Sequence, residues 1–111
     1  MAEQTIEVKR GEIYWVNFSP TIGTEIRKIR PALIIFSSAK RVISLPITSK
    51  TKEIHEWQLV VKKLVKGIDG KILVDQIRAF DKQRLLRKLG EIKSEEMKKV
   101  NQILKEMLFV N

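Results

Sequence analysis

The chain has 111 residues with no cysteine, and its 22 lysines and arginines against 13 aspartates and glutamates give a formal net charge of +9. The absence of cysteine excludes disulfides and zinc–thiolate sites, and no apolar run approaches the ~20 residues that a membrane span needs. This length predicts one domain over residues 1–111, with 1–7 as a flexible N-terminal extension. Because that extension is polar and unlike a secretory signal, a cytoplasmic location is expected. The charge favours a polyanionic partner, either nucleic acid or an acidic protein.

Short apolar segments separated by polar ones predict a series of strands. The predicted strands are residues 10–18, 31–36, 41–47, 57–62 and 71–78. The polar segments 19–29 and 48–56 are predicted as long loops, and 37–40 as a tight turn. Residues 85–92 fit either a short helix or a strand.

The C-terminal segment has the pattern of an amphipathic helix. Ser94 is a favourable N-cap, and Glu95 and Glu96 follow in the first turn, where the helix dipole favours negative charge. Apolar residues then recur at the spacing of one helical face: Met97, Val100, Ile103, Leu104, Met107 and Leu108. About five or six mostly antiparallel strands followed by one helix predict a mainly β fold with α, a small curled barrel capped by the helix.

Arg30 and Thr48 are candidate chemistry-bearing residues at two predicted strand ends. Pro31 restricts Arg30 to extended conformations, and a guanidinium binds two phosphate oxygens at any working pH. In a hairpin the start of one strand lies beside the end of the next, so Arg30 and Thr48 are expected near each other. Taken singly, a strand-end arginine in a surface ion pair and a turn threonine are the commoner interpretations.

Several kinds of site are excluded by the residues that are missing. His55 is the single histidine, so a histidine-pair ribonuclease within one chain is impossible. The carboxylates lack the spacing of a magnesium or calcium cage, and no glycine-rich phosphate loop precedes a helix. No metal or cofactor is therefore predicted, and any phosphate chemistry depends on arginines and hydroxyls.

Five short blocks in a fixed order cover nearly the whole chain. They are residues 9–20; Gly23 and Glu25 with 30–33; 46–49; 75–78 with 81–85; and Gly90 with Met97 and Val100. Together these blocks resemble the MazF/PemK-type toxins of type II toxin–antitoxin systems, which are mRNA interferases.

The resemblance implies the fold shared by CcdB, MazF and PemK, an SH3-like barrel with a C-terminal helix. It also implies a homodimer that cuts single-stranded RNA at specific sequences without a metal or the ribosome. The implied reaction is attack by the ribose 2′-oxygen on the adjacent phosphorus, which leaves a 2′,3′-cyclic phosphate and a 5′-hydroxyl. An acidic antitoxin protein is implied as the partner that neutralises the toxin.

The resemblance also assigns roles to particular residues. Arg30 and Thr48 match the catalytic pair, and Glu25 matches an acid that positions the arginine. RNA contacts are expected from eight further residues: Arg27, Lys28, Ser49, Lys50, Trp57, Asp75, Gln76 and Arg78. Leu73 stands where some plasmid-borne members carry a catalytic arginine, so their acid–base scheme is not expected here.

Two alternatives stay open. One is a non-catalytic toxin of the same fold that poisons DNA gyrase; such relatives depend on a tryptophan-bearing C-terminal tail, whereas residues 108–111 are Leu-Phe-Val-Asn. The other is an SH3-like RNA-binding module without catalysis. The general base, the recognised bases, the target (mRNA, rRNA or tRNA) and the antitoxin are not identified by the sequence.

Overall fold

The computed structural model describes residues 7–18 and 29–109. Within them lie seven strands and one helix, which are β1 (Glu12–Asn17), β2 (Ile29–Ser37), β3 (Arg41–Thr48), β4 (Gln58–Val65), β5 (Ile68–Leu73), β6 (Arg78–Asp81), β7 (Leu85–Glu91) and α1 (Ser94–Phe109). Single turns of 3-10 helix at Val74–Gln76 and Lys82–Arg84 precede β6 and β7. The predicted N-terminal extension lies outside the described residues except for Glu7.

All strand pairs in the described residues are antiparallel, and the sheet runs in the order β4-β5-β3-β2-β1-β7. β6 pairs with the first half of β3, while β5 pairs with its end. β4 and β7 lie at the two ends of this order, and the sheet between them is curled into a half-barrel. The predicted mainly β architecture with a C-terminal helix is confirmed.

The segment predicted as one strand at 71–78 is interrupted, and that prediction is wrong in its second half. Ile47 pairs with Ile72, and Ser44 pairs with Arg78. A step of three residues along β3 therefore corresponds to a step of six residues from Ile72 to Arg78. The 3-10 turn at Val74–Gln76 takes up the three extra residues. Residues 85–92, ambiguous in sequence, contain the strand β7.

The helix α1 follows its predicted apolar pattern but is capped one residue earlier than predicted. The amide of Met97 donates to the carbonyl of Lys93 over 2.9 Å. Lys93, rather than Ser94, therefore holds the N-cap position.

Within the described part of the chain, no helix is long and apolar enough to cross a membrane.

Both faces of the central strands are buried, which gives two cores. One core joins the sheet to α1 and includes Ile13, Leu33, Leu45, Ile72 and Val100. The other covers the opposite face and includes Tyr14, Val16, Ile34, Val42 and Phe80. Burying one such side chain contributes roughly 1.5–3 kcal/mol, so the two cores hold the central hairpin of β2 and β3 rigidly.

Glu12 is a carboxylate buried in β1. It accepts hydrogen bonds from the Lys9 amide (2.8 Å), the Lys88 ammonium (2.9 Å) and the Tyr14 hydroxyl (3.2 Å). Burial alone raises the pKa of Glu12, but the bonds from Lys9 and Lys88 outweigh it and hold the pKa below its ordinary value. Burial and the adjacent carboxylate raise the pKa of Tyr14.

We expect Glu12→Gln to lower the free energy of unfolding at pH 7 by about 1–3 kcal/mol, because charge-assisted hydrogen bonds are lost. A carboxyl with a lowered folded-state pKa stabilises above its ordinary pKa of 4.5, and this stabilisation is lost as the pH falls further. Urea unfolding at pH 7 and about pH 3 checks both points, since the difference from wild type must shrink in acid. Glu91→Gln removes the exposed partner of Lys88 and serves as the matched control. An undiminished difference at the lower pH would contradict the assignment.

Candidate functional site

The β2–β3 hairpin fixes the positions of Arg30 and Thr48. Its register pairs Ala32 with Pro46, and Arg30 and Thr48 lie two residues beyond this pair on their respective strands, at the same end of the hairpin. Arg30 also pairs with Val16 of β1. The structure therefore places the two residues beside each other at one end of the sheet.

Arg30 and Thr48 line a common cleft of about 260 Å³. The cleft is completed by Pro31, Ile47, Ser49 and Lys50. Arg30, Ser49 and Lys50 are exposed, whereas Thr48 is half-buried. A guanidinium, an ammonium and two hydroxyls thus line one solvent-accessible space, which is an arrangement that suits a cluster of anionic oxygens.

The Thr48 hydroxyl is held by one hydrogen bond from the backbone. The amide of Lys50 donates to Thr48 Oγ1 over 3.2 Å, which fixes the hydroxyl oxygen at the start of the loop. Within residues 7–18 and 29–109 the hydroxyl proton has no acceptor. A hydroxyl can accept and donate at the same time, so Thr48 is held in place by one bond and is free to donate a second.

The chemistry on offer at this cleft comes from cations and hydroxyls. Over the described ranges, no group of three or more histidine, aspartate or glutamate side chains lies together so as to hold a metal ion. Glu25, Arg27 and Lys28 lie outside the described residues, as does all but Ile29 of the predicted loop at 19–29. Their expected roles stay predictions.

Lys71 anchors the loop that follows Thr48. It is the register partner of Thr48 on β5 and is 7% exposed. Its Nζ donates to the carbonyls of Lys52 and Glu53, each over 3.3 Å. Glu53 has φ +58°, which costs a non-glycine residue of order 1–3 kcal/mol unless its surroundings hold it. The buried ammonium therefore helps to hold the loop that carries Ser49 and Lys50.

Lys71 carries no signal in the sequence, because a single lysine beside an apolar run is ordinarily a solvated residue. We expect Lys71→Met to release this loop, so that trypsin cuts after Lys50 or Lys52 about 10- to 100-fold faster than in wild type. Mass spectrometry of timed digests gives both the sites and the rates. Lys62→Met, at an exposed position of β4, is the matched control. Equal loop cleavage in wild type and Lys71→Met would show that the ammonium does not anchor the loop.

Asp75, Gln76 and Arg78 lie apart from the described lining of the cleft. Asp75 and Gln76 are exposed on the 3-10 turn, and Arg78 begins β6 opposite Ser44. The guanidinium carbon of Arg78 lies 5.2 Å from the centre of the Phe18 ring. Ser44 is four residues before Thr48 on β3, which is roughly 13 Å along a strand. These residues flank the cleft rather than form it.

The two tryptophans occupy different places. Trp57 is half-buried just before β4, with φ +68°, and its carbonyl accepts from the Val74 amide over 3.0 Å. It is not among the described residues that line the Arg30 cleft. Trp15 pairs with Pro31 and lines a second cleft, which also includes Thr48 and Ser49.

Comparison with known proteins identifies the family. The family model described as "PemK-like, MazF-like toxin of type II toxin-antitoxin system" matches residues 9–108. This chain belongs to the PemK/MazF toxin family. The resemblance noted in the sequence is thereby confirmed.

Individual relatives in this family are similar along nearly their full lengths. The chain is 34% identical over 105 residues to endoribonuclease EndoA of Bacillus subtilis, covering 87% of this chain and 90% of that protein. It is 28% identical over 110 residues to endoribonuclease MazF9 of Mycobacterium tuberculosis, covering 88% and 93%. A MazE–MazF crystal structure from Deinococcus radiodurans superposes with a TM-score of 0.76 at 25% identity, covering 98% of this chain and 100% of that one.

Leu73, at the position where the resemblance implies a catalytic arginine in some plasmid-borne members, is a buried residue. It ends β5 and is 7% exposed. A buried leucine neither donates a proton nor contacts a phosphate. The acid–base scheme of those members therefore has no counterpart at position 73.

Proposed function

We propose that this chain is a sequence-specific endoribonuclease toxin that cuts single-stranded RNA, with mRNA as the expected target, at the Arg30–Thr48 cleft. The observation that carries the proposal is that Arg30 and Thr48 line one cleft together with Ser49 and Lys50. The names of EndoA and MazF9 as endoribonucleases support it.

The proposed reaction uses the RNA as its own nucleophile. The ribose 2′-oxygen attacks the adjacent phosphorus, the bond from phosphorus to the 5′-oxygen breaks, and the products carry a 2′,3′-cyclic phosphate and a 5′-hydroxyl. The 2′-hydroxyl loses one proton and the departing oxygen gains one, so protons balance without a water molecule being consumed.

Arg30 and Thr48 act on the charge that this reaction creates. Negative charge grows on the two non-bridging phosphate oxygens as the new bond forms. The Arg30 guanidinium binds these oxygens in bidentate fashion, and the Thr48 hydroxyl donates to one of them. The Lys50 amide already holds the Thr48 hydroxyl oxygen in place, so little reorganisation of this group is needed in the transition state. Glu25 is proposed to orient Arg30.

The remaining RNA contacts are proposed on both sides of this pair. Lys50 and Ser49 hold the phosphate within the cleft, and Arg27 and Lys28 hold the neighbouring backbone. Four further residues extend the contact along the strand: Trp57, Asp75, Gln76 and Arg78. The net charge of +9 supports such a path, since each neutralised phosphate adds affinity that salt weakens.

The proposal includes the partners and setting that go with such toxins. We propose a cytoplasmic homodimer that is neutralised by an acidic antitoxin protein. Support comes from the MazE–MazF complex of Deinococcus radiodurans among the similar structures, and from the net charge of +9, which an acidic chain would complement.

A cleavage assay in EDTA tests the proposed function. Purified full-length protein is incubated with an end-labelled unstructured RNA in excess EDTA, and the products are separated on a denaturing gel. Discrete fragments support a metal-independent nuclease. An intact RNA that shifts on a native gel would favour an RNA-binding module. No effect on RNA, together with inhibition of gyrase supercoiling, would favour the gyrase poison. A parallel preparation of Arg30→Ala excludes a contaminating ribonuclease.

A further inference from the structure

The Trp15 cleft is a second cavity that shares a wall with the Arg30–Thr48 cleft. It has a volume of about 270 Å³. Its lining includes Trp15 of β1 and five residues of the β4–β5 hairpin, which are Val65, Lys66, Ile68, Asp69 and Gly70. Pro31, Ile47, Thr48 and Ser49 belong to both clefts. A nucleotide whose phosphate lies at Thr48 is therefore directly next to the Trp15 cleft.

A rigid hairpin forms one wall of the Trp15 cleft. Val65 pairs with Ile68 around the two-residue turn Lys66-Gly67, whose φ values of +50° and +76° are those of a type I′ turn. The Asp69 carboxylate accepts from the Lys63 amide over 2.9 Å and fixes the base of this turn. The cleft wall is thus built by backbone geometry rather than by chance packing of side chains.

The lining of the Trp15 cleft differs in chemistry from the Arg30–Thr48 cleft. Its walls are mainly apolar, with the half-buried indole of Trp15 and the side chain of Ile68, which is 59% exposed. Polar groups lie at its edge, where Ser49, Lys66 and Asp69 offer both donors and acceptors. A flat apolar surface with hydrogen-bonding groups at the edge suits a nucleobase, which has an aromatic face and a polar rim.

We infer that the Trp15 cleft receives one of the two bases that flank the scissile phosphate, with the base stacked on the Trp15 indole. This inference rests on the proposed function, because it takes the phosphate to lie at Arg30 and Thr48. It makes Trp15 and the β4–β5 hairpin determinants of where the RNA is cut. Base–aromatic stacking is worth about 5- to 150-fold in affinity per base.

Coupled substitutions in protein and RNA test the stacking. An abasic site is placed in turn on each side of the cleavage position, and kcat/KM is measured for wild type, Trp15→Phe and Trp15→Leu. At one of the two positions, the abasic site is expected to lower kcat/KM by about 5- to 150-fold in wild type and in Trp15→Phe, which both keep an aromatic ring. In Trp15→Leu, which has lost the ring, the same abasic site is expected to have little further effect. If both abasic substrates lose the same factor in Trp15→Leu as in wild type, the inference is overturned.

A binding measurement separates this inference from the proposed activity. In Trp57→Phe, Trp15 is the single tryptophan. A 2′-deoxy-substituted oligonucleotide, which is not cut, is expected to quench the Trp15 fluorescence, and its abasic version is expected not to. If the oligonucleotide quenches the fluorescence but the protein cuts no RNA, the proposed nuclease activity is wrong and the base-binding site is supported. Cleavage by a protein whose Trp15 fluorescence no oligonucleotide changes would overturn the base site and leave the proposed nuclease activity intact.

Discussion

A single 2′-deoxy substitution at the cleavage position is expected to abolish cutting while the oligonucleotide still binds. The reason is that the proposed nucleophile is the ribose 2′-oxygen, whereas Arg30 and Thr48 are proposed to supply only positive charge and a hydrogen bond. Removal of the hydroxyl leaves the phosphate and the bases in place, so the affinity is expected to change little.

The measurement compares three oligonucleotides of one sequence. The all-RNA strand is cut, the strand with deoxyribose at the cleavage position is not, and a strand with deoxyribose two nucleotides away is cut at the normal rate. Fluorescence anisotropy gives the affinity of each. Cleavage of the second strand at the same position would mean that a nucleophile other than the ribose 2′-oxygen attacks the phosphorus, and the cyclising reaction would be wrong.

Arg30→Ala is expected to lower the rate of cleavage by about 100- to 1,000-fold, the usual cost of removing one preorganised donor from a transition state. Arg30 is exposed at the end of β2 and belongs to neither core, so the protein is expected to stay folded. Arg30→Lys keeps the charge but loses the bidentate geometry, and its rate is expected to lie between those of wild type and Arg30→Ala.

Arg41→Ala is the matched control for Arg30→Ala, because Arg41 is an exposed arginine at the opposite end of the same hairpin. It removes the same charge without touching the cleft and is expected to cut at nearly the wild-type rate. Thermal unfolding of the variants verifies that the fold is kept. A folded Arg30→Ala that cuts RNA as fast as Arg41→Ala would remove Arg30 from the mechanism.

The parts of the molecule that sequence predicts well are those set by local pattern. The apolar run after Pro31 and the return segment ending at Thr48 specify an antiparallel hairpin, and hairpin geometry alone brings Arg30 next to Thr48. The helix face from Met97 to Leu108 is equally local, because its spacing repeats within the segment itself.

The parts that sequence does not predict depend on contacts between distant segments. The break in the strand predicted at 71–78 follows from two pairings with β3 whose registers differ by three residues, and the apolar run through Val74 gives no sign of it. The anchoring role of Lys71 requires a loop carbonyl 18 or 19 residues away. The Trp15 cleft likewise needs the β4–β5 hairpin to face β1. Backbone pairing between segments decides each of these features.

A double-mutant cycle on the cleavage rate tests most directly whether Arg30 and Thr48 act on one phosphate. Rates are measured for wild type, Arg30→Ala, Thr48→Val and the double variant under single-turnover conditions. When two groups stabilise the same oxygens, the rate losses caused by their separate removal do not multiply in the double variant. The double variant is therefore expected to cut at least about tenfold faster than the product of the two single losses predicts. A double variant whose loss equals that product would show that the two side chains act independently, and the shared-phosphate site would be wrong.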